Sequence, residues 1–320
     1  MTIHVLGTVN GIENEGMRNV ATHLAREFMK EHRVLYSGLK QLLAIIHNSI
    51  RSDVTLIFAR ANKAIYWLAR VVEVFNKQVW IFCVQKPDPE FLANNDKRPL
   101  CCGYFTISQN DTADVKCVAG KKKHPFTVGI NTQKFTPVNA EKAALLKVKY
   151  GFSHDKLLVI HVGHCSVGRG LDDFLALDGS KVNRLVVASG MFEDAATIER
   201  LQNGGVNIYK GFLEHIEETY QMADAYLFPT RSAEFVISIP LSVMESLACG
   251  TPVIGYKSFT NLNDIHGEPH AITLIDNAEE LSAVLPEVVK KKEERTLLAH
   301  AVSWSDTAHE IFCVIKESIN

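Results

Sequence analysis

Short unbroken runs of apolar residues alternate along the chain with stretches whose apolar positions recur at helical spacing. Thr2–Gly7 (TIHVLG) reads as a strand, and the loop after it (GTVNGIENEG) holds Gly7, Gly11 and Gly16. Met17–Glu31 then places Val20, Leu24, Ala25 and Phe28 on one helical face. Further strands are predicted at Arg33–Tyr36, Asp53–Phe58, Val79–Val84 and Tyr104–Ser108, with helices at Leu39–Asn48 and Lys63–Asn76. These strands are continuous Val, Ile, Leu and Phe runs, as expected when both faces of a parallel sheet are covered. The first half reads as doubly wound α/β.

Between residues 85 and 137, Pro87, Pro89 and Pro99 interrupt the pattern, and a less regular structure is expected there. Residues 129–137 (GINTQKFTP) read as a linker, after which the alternation restarts. Strands are predicted at Leu157–Val162, Arg184–Ser189, Val206–Tyr209, Ala225–Phe228, Pro252–Gly255 and Ala271–Ile275. Helices are predicted at Ala140–Tyr150, Leu171–Leu177, Ala195–Gln202, Glu214–Ala223, Leu241–Ala248, Ala278–Lys292 and Trp304–Ser318. A second doubly wound sheet thus follows the first. In such sheets ligands sit at the carboxyl ends of the strands, where loops lead into helix N-termini. Two in tandem imply a domain over 1–137, a second over 138–303, and a cleft between them.

Composition narrows the class. The chain has 320 residues, 47 % of them hydrophobic and 22 % charged, with a mean hydropathy of +0.02, which excludes a disordered or fibrous protein. No uninterrupted apolar run reaches the ~18 residues that span a bilayer. The first twenty residues lack a basic segment followed by an apolar one, so a cytoplasmic protein is expected. Seven cysteines are scattered without a CxxC pair, which argues for reduced thiols and against a disulfide scaffold or zinc module. The net charge of −2 hides an asymmetry: residues 1–137 carry 18 Lys and Arg against 11 Asp and Glu, or +7, and the remainder 16 against 25, or −9. A basic half joined to an acidic half raises the question of what the basic half meets.

Three segments carry candidate chemistry. In the first loop, ending at Gly16, glycines let backbone approach a ligand, and the helix that follows offers unpaired N–H groups and partial positive charge. It is not GxGxxG, and a plain surface loop would look the same. In Ile160–Gly170 (IHVGHCSVGRG) a strand ends at Gly163, a loop carries His164, and Arg169 opens the next helical turn. A cation there can bind a diphosphate through charge-assisted hydrogen bonds. His161, His164 and Cys165 lie close in sequence, but no further ligand cluster is near and His161 is expected to point into the sheet, so no metal is assigned. In Phe228–Gly255 a long loop holds Arg231 and Glu234, and Pro240 starts a helix whose Leu241 and Ser242 amides are open to an anion. Glu245, one turn further on, can accept hydrogen bonds from sugar hydroxyls, or is simply a solvated helix residue.

Residues 150–170 (YGFSHDKLLVIHVGHCSVGRG), IYKGFLEHIEETYQMADAYLFPT, MESLACGTPVIG, the GINTQKFTP linker and Trp304 at the start of the last helix come in the order of a known set of motifs. The chain resembles the retaining glycosyltransferases of family 4, over roughly residues 125–320, with a weaker match at the first loop and helix. The resemblance implies the GT-B fold: two Rossmann-like domains facing across a cleft, with the helix over 304–320 packing back on the first.

The resemblance also implies roles. Arg169 takes the place of the family's phosphate-binding lysine and His164 that of its arginine. Glu245 matches the second glutamate of E-x7-E, which binds the donor ribose. The Leu241 and Ser242 amides would face the diphosphate, the backbone at Gly211, Phe212 and Leu213 would flank the base, and Gly16 would approach donor phosphate and acceptor. Three positions depart from the pattern. His164 is a cation only below a pKa of about 6.5. The first glutamate of E-x7-E falls on Ile237, with Glu234 the nearest acid. Gln85 stands where many members have an active-site histidine.

The implied activity is metal-independent, retaining transfer of a sugar from a nucleotide-diphosphate sugar to an acceptor hydroxyl, with no separate cofactor. Arg169 and His164 would stabilise the leaving phosphate, with Glu234 near the donor sugar. The basic first half suits an anionic or lipid-linked acceptor near Gln85 and the Lys121, Lys122 and Lys123 run, with peripheral contact to an anionic membrane surface. A lysine run is equally what a solvated surface looks like. No nucleic-acid partner is expected, because the basic residues are not interleaved with aromatics. A nucleotide-sugar binding protein without transfer activity, or another GT-B enzyme such as an epimerase, are the alternatives.

Overall fold

The structure is a computed structural model and describes residues 1–9, 16–108, 110–190, 193–265, 271–293 and 301–319. Most of the first loop, residues 10–15 with Gly11, lies outside the described residues. The chain divides into two compact units, one of Met1–Gly129, Ile237–Ile239 and Val302–Asn320, the other of Ile130–Val236 and Pro240–Ala301.

The first unit begins β1 (Thr2–Gly7), α1 (Gly16–Met29), β2 (Arg33–Ser37), α2 (Leu42–Ile50), β3 (Val54–Phe58), α3 (Lys63–Phe75) and β4 (Val79–Cys83). It continues with α4 (Pro89–Lys97), β5 (Gly103–Thr106) and β6 (Lys123–Pro125). The strands form one parallel sheet in the order β2-β1-β3-β4-β5-β6. Every residue of β3 (VTLIF) and β4 (VWIFC) is buried, which is why these strands are apolar throughout instead of alternating. Residues 85–137 are more regular than their prolines suggest. Pro89 stands in the first turn of α4, where its missing N–H has no intrahelical partner to lose, and Lys123–Pro125 adds an edge strand.

The second unit contains α5 (Ala140–Lys149), β7 (Leu157–Gly163), β8 (Val182–Ala188), α6 (Ala195–Asn203), β9 (Asn207–Lys210), α7 (Ile216–Met222) and β10 (Ala225–Leu227). After these come α8 (Leu241–Ala248), β11 (Val253–Tyr256), β12 (Ile272–Ile275) and α9 (Leu281–Glu293). Its parallel sheet runs β12-β11-β10-β7-β8-β9. The predicted helix at Leu171–Leu177 is a 3-10 turn at Leu171–Ala176. Asp224 fixes the start of β7: its carboxylate accepts from the Leu158 amide at 2.7 Å and from Lys147 of α5 at 2.5 Å.

The last helix, α10 (Trp304–Ile319), belongs to the first unit, where it packs on α1. His23 stacks on Trp304 at 4.8 Å and His32 on Phe312 at 4.3 Å. Gly129 is required beneath the start of this helix, since a Cβ there would stand 2.7 Å from the Trp304 backbone nitrogen.

Candidate functional site

The second sheet reverses its winding between β7 and β10, which are neighbours in space and far apart in the chain. At such a switch point the loops leaving the two strands turn to opposite faces and leave a crevice at their carboxyl ends. The loop after β7 carries His164 and Arg169, and the segment after β10 carries Thr230, Arg231 and Glu234 before entering α8.

Arg169 is 6 % exposed and lies 3.5 Å through Nη1 from the hydroxyl of the fully buried Thr230. Its Nε is buried without a hydrogen-bond partner, and no carboxylate among the described residues pairs with the guanidinium. Burial pulls its pKa below the ordinary arginine value. A buried cation with no counter-charge is costly unless a ligand supplies one. Gly170 lets this turn form: its φ is +72°, and a Cβ there would collide with the Pro229 carbonyl and stand 2.8 Å from Arg231 Nη1.

Two tyrosines join this cation to α8. Tyr226 of β10 stands within hydrogen-bonding distance of Ser242 Oγ (2.8 Å) and the Val162 carbonyl (3.2 Å). Tyr220 of α7 packs its ring 5.9 Å from that of Tyr226 and donates its hydroxyl proton to Glu245 at 2.8 Å. Burial, and then the charge of Glu245, hold the Tyr220 phenol well above its ordinary pKa, so it remains a donor and Glu245 an acceptor. Arg169, Ser242 and Glu245 therefore belong to one connected site. The amides of Leu241 and Ser242, in the first turn of α8, have no intrahelical acceptor.

His161 points into the sheet and is fully buried beside Tyr226, with Nδ1 3.1 Å from the Leu227 carbonyl. A carbonyl only accepts, so Nδ1 carries the proton and the buried, unpartnered Nε2 is a lone-pair acceptor. Burial, then the neighbouring Arg169, lower its pKa to about 3. His164 lies 2.7 Å through Nδ1 from Ser189 Oγ; when the serine donates, Nε2 carries the proton and can serve a phosphate even in the neutral ring.

A network absent from the sequence reading braces the loop after β10. Asp173 accepts from Arg231 at 2.9 Å and from the Tyr256 hydroxyl at 2.6 Å, and the Arg231 guanidinium lies 3.9 Å over the Tyr256 ring. Glu234 is exposed in a 3-10 turn over Ala233–Phe235 and is not part of the Tyr220–Glu245 pair. Gly211 follows β9 with a φ of +107°, its amide donating to the Ala188 carbonyl, and Phe212 beside it is 62 % exposed, a ring open to stacking, with Leu213 half-buried.

Gly16 starts α1 in the first unit, and Ile237, where the family's first glutamate would fall, is buried against it. Gln85 lines a groove of about 760 Å³ at the carboxyl edge of the first sheet, beside Thr8, Met17 and Arg18. The lysine run is elsewhere. Lys121 and Lys122 precede β6, and Lys123 is level with Tyr104 at the amino edge of the sheet. Lys121 Nζ lies 3.4 Å from the Lys77 carbonyl, Lys123 donates to the Thr112 and Ala113 carbonyls at 3.0 and 3.1 Å, and Lys122 is exposed. The expected acceptor cluster of Gln85 with Lys121–Lys123 is thus split between opposite edges of one sheet.

The chain is similar to known proteins in sequence and in fold. Residues 162–291 match the family model described as glycosyl transferases group 1. A stretch of 137 residues is 26 % identical to alpha-galactosylglucosyldiacylglycerol synthase of Streptococcus pneumoniae, covering 39 % of this chain and 35 % of that protein. Among solved structures, HepE of Anabaena in complex with UDP and glucose superposes with a TM-score of 0.77 at 12 % identity, over 98 % of this chain and 99 % of that one. A glycosyltransferase of Rickettsia africae gives 0.74 at 16 % identity, over 100 % and 98 %. This chain has the GT-B fold, and its residues 162–291 are similar to the group 1 glycosyl transferases.

Proposed function

We propose that the chain transfers a sugar from a nucleotide-diphosphate sugar to an acceptor hydroxyl, with retention of configuration and without a divalent cation. The observation that carries this reading is Arg169, a buried guanidinium with no carboxylate partner among the described residues, beside Thr230 and within electrostatic reach of Tyr226, which bonds to Ser242 at the start of α8 and packs on the Tyr220 that holds Glu245. A diphosphate supplies the missing counter-charge. Glu245, oriented by Tyr220, accepts from the ribose hydroxyls, and Phe212 is placed to stack on the base.

The bond between the anomeric carbon and the β-phosphate oxygen breaks as the acceptor oxygen bonds to that carbon. The acceptor proton passes to a phosphate oxygen. Arg169, His164 and the α8 amides stabilise the charge developing on the leaving diphosphate, an effect in which one such donor contributes about 3–4 kcal/mol. The UDP complex of the Anabaena protein supports a uridine donor, and the group 1 match supports glycosyl transfer.

Incubation with UDP-, GDP- and ADP-sugars, following nucleotide release and thermal shift, tests the reading. A thermal shift with one nucleotide class and release dependent on acceptor are expected; no stabilisation by any nucleotide at millimolar concentration defeats it. Ile237 in place of the family's first glutamate favours a second reading, nucleotide-sugar binding without transfer, in which the shift is seen and no acceptor product forms.

A further inference from the structure

The first sheet has its own switch point, between β1 and β3, and the groove of about 760 Å³ opens there. Its walls divide chemically. Arg18, Lys40 and Arg60 supply three cations, and no carboxylate among the described residues lines it. Arg60 also pairs with Asp88 at 2.7 Å, whereas Lys40 has no ion-pair partner among the described residues. The remaining wall is largely apolar, built from Met17, Leu39, Ala64, Trp67, Leu68 and Val71.

The apolar wall does not stop at the rim. Trp67, Val71, Val74 and Phe75 recur at i, i+4, i+7 and i+8 on one face of α3, and all are exposed, Trp67 by 54 % and Val74 by 71 %. The adjoining α2 exposes Leu42, Leu43 and Ile50, Leu43 by 84 %. A soluble domain ordinarily covers such a face, and an uncovered one rimmed by polar groups marks a binding surface. A small polar acid would have no use for the apolar track, and a neutral lipid none for the cations.

We infer that this groove binds an anionic amphiphile as the acceptor, its phosphate-type head against Arg18, Lys40 and Arg60 and its hydrocarbon chain along Trp67, Val71 and the outer face of α3. The inference rests on the transfer reading above and names its acceptor class. A tryptophan at the boundary between a charged head and a chain is in the setting that suits its amphipathic ring.

Decyl phosphate, kept below its micelle concentration, is the probe. Of the three tryptophans, Trp80 and Trp304 are buried, so Trp67 reports the groove. Saturable quenching and a blue shift of emission are expected, abolished in Trp67→Phe and shifted at least tenfold to higher concentration in Lys40→Glu and Val71→Asp. Vesicles with and without phosphatidic acid then distinguish a membrane-embedded source from a dispersed one, either of which satisfies the inference if the anionic form is preferred. An equal response to octyl glucoside means apolar adsorption alone, an equal response to inorganic phosphate an anion site alone, and either overturns it, as does no response to decyl phosphate. UDP binding is measured on the same samples. If UDP binds and decyl phosphate does not, the acceptor inference fails by itself; if UDP fails too, the transfer reading fails with it.

Discussion

Ile237 occupies the space that a side chain on Gly16 would need: a Cβ at Gly16 would lie 2.9 Å from Ile237 Cδ1 and 3.1 Å from Cγ2. The residue replacing an expected acid therefore packs against a backbone turn of the first unit instead of facing a ligand with charge. Gly16→Ala is expected to destabilise the first unit by about 1–3 kcal/mol through overpacking. Ile237→Ala removes the clashing atoms, so the double variant should be more stable than the sum of the two single changes, as read by urea denaturation in a double-mutant cycle. Strict additivity would show that the two side chains do not meet.

Arg169 is held at a cost to the free protein. Arg169→Met keeps the length of the side chain and removes the unpaired charge, so the melting temperature without ligand should be unchanged or higher, while stabilisation by nucleotide disappears and turnover falls by roughly a hundredfold or more. Calorimetry with and without a nucleoside diphosphate reads both effects. A markedly lower melting temperature with nucleotide binding intact would assign Arg169 to the core instead.

The Tyr220–Glu245 pair yields a prediction about the ribose. Tyr220→Phe should weaken nucleotide binding by about 1 kcal/mol, near fivefold, by releasing the carboxylate from its orientation. Glu245→Ala should lose more, and should bind ribo- and deoxyribonucleotides alike. Retained discrimination in Glu245→Ala, measured by titration calorimetry, would remove Glu245 from the sugar.

Much of this site was legible in the sequence because the switch point imposes a pattern. β7 and β10 are short apolar runs, the first followed by a glycine-containing loop with Arg169, the second by Pro229, Arg231 and the segment that leads into α8 with Glu245. The tyrosines that connect them were not legible. Tyr226 sits inside an apolar strand and Tyr220 on a helix, and only the fold brings their hydroxyls to Ser242 and Glu245. Asp173 was hidden for the same reason, since Arg231 is 58 positions away in the chain. The lysine run misled because sequence proximity says nothing about which edge of a sheet a residue occupies. The apolar track on α3 lies in the helix predicted at Lys63–Asn76, and the apolar character of a helix cannot by itself show that one stripe is left uncovered.

Two buried histidines make stability fall in acid. Burial lowers His161 to about 3 and His4, on β1 of the first sheet, to about 4. Their unfolded value is about 6.5, so below that pH the unfolded chain binds protons that the folded one refuses. Stability is therefore complete above about pH 6.5 and falls as the pH drops towards 4, by about 1.4 kcal/mol per pH unit for each histidine. His4→Gln, which can keep a hydrogen bond to Ser37, should flatten that slope for the first unit by about one proton and leave the second unit's slope unchanged. Urea titrations between pH 7 and 4.5 measure it.

The composition of the first unit from three separated pieces of chain has a consequence during synthesis. Residues 1–129 leave the ribosome before the Ile237–Ile239 strip and α10 that complete their packing. Until then His23 of α1 and His32 in the turn after it are exposed, the rings that Trp304 and Phe312 will cover. The first unit must wait, partly dressed, for α10, and losing that sixteen-residue helix would damage the first unit more than the second, although it follows the second in the chain.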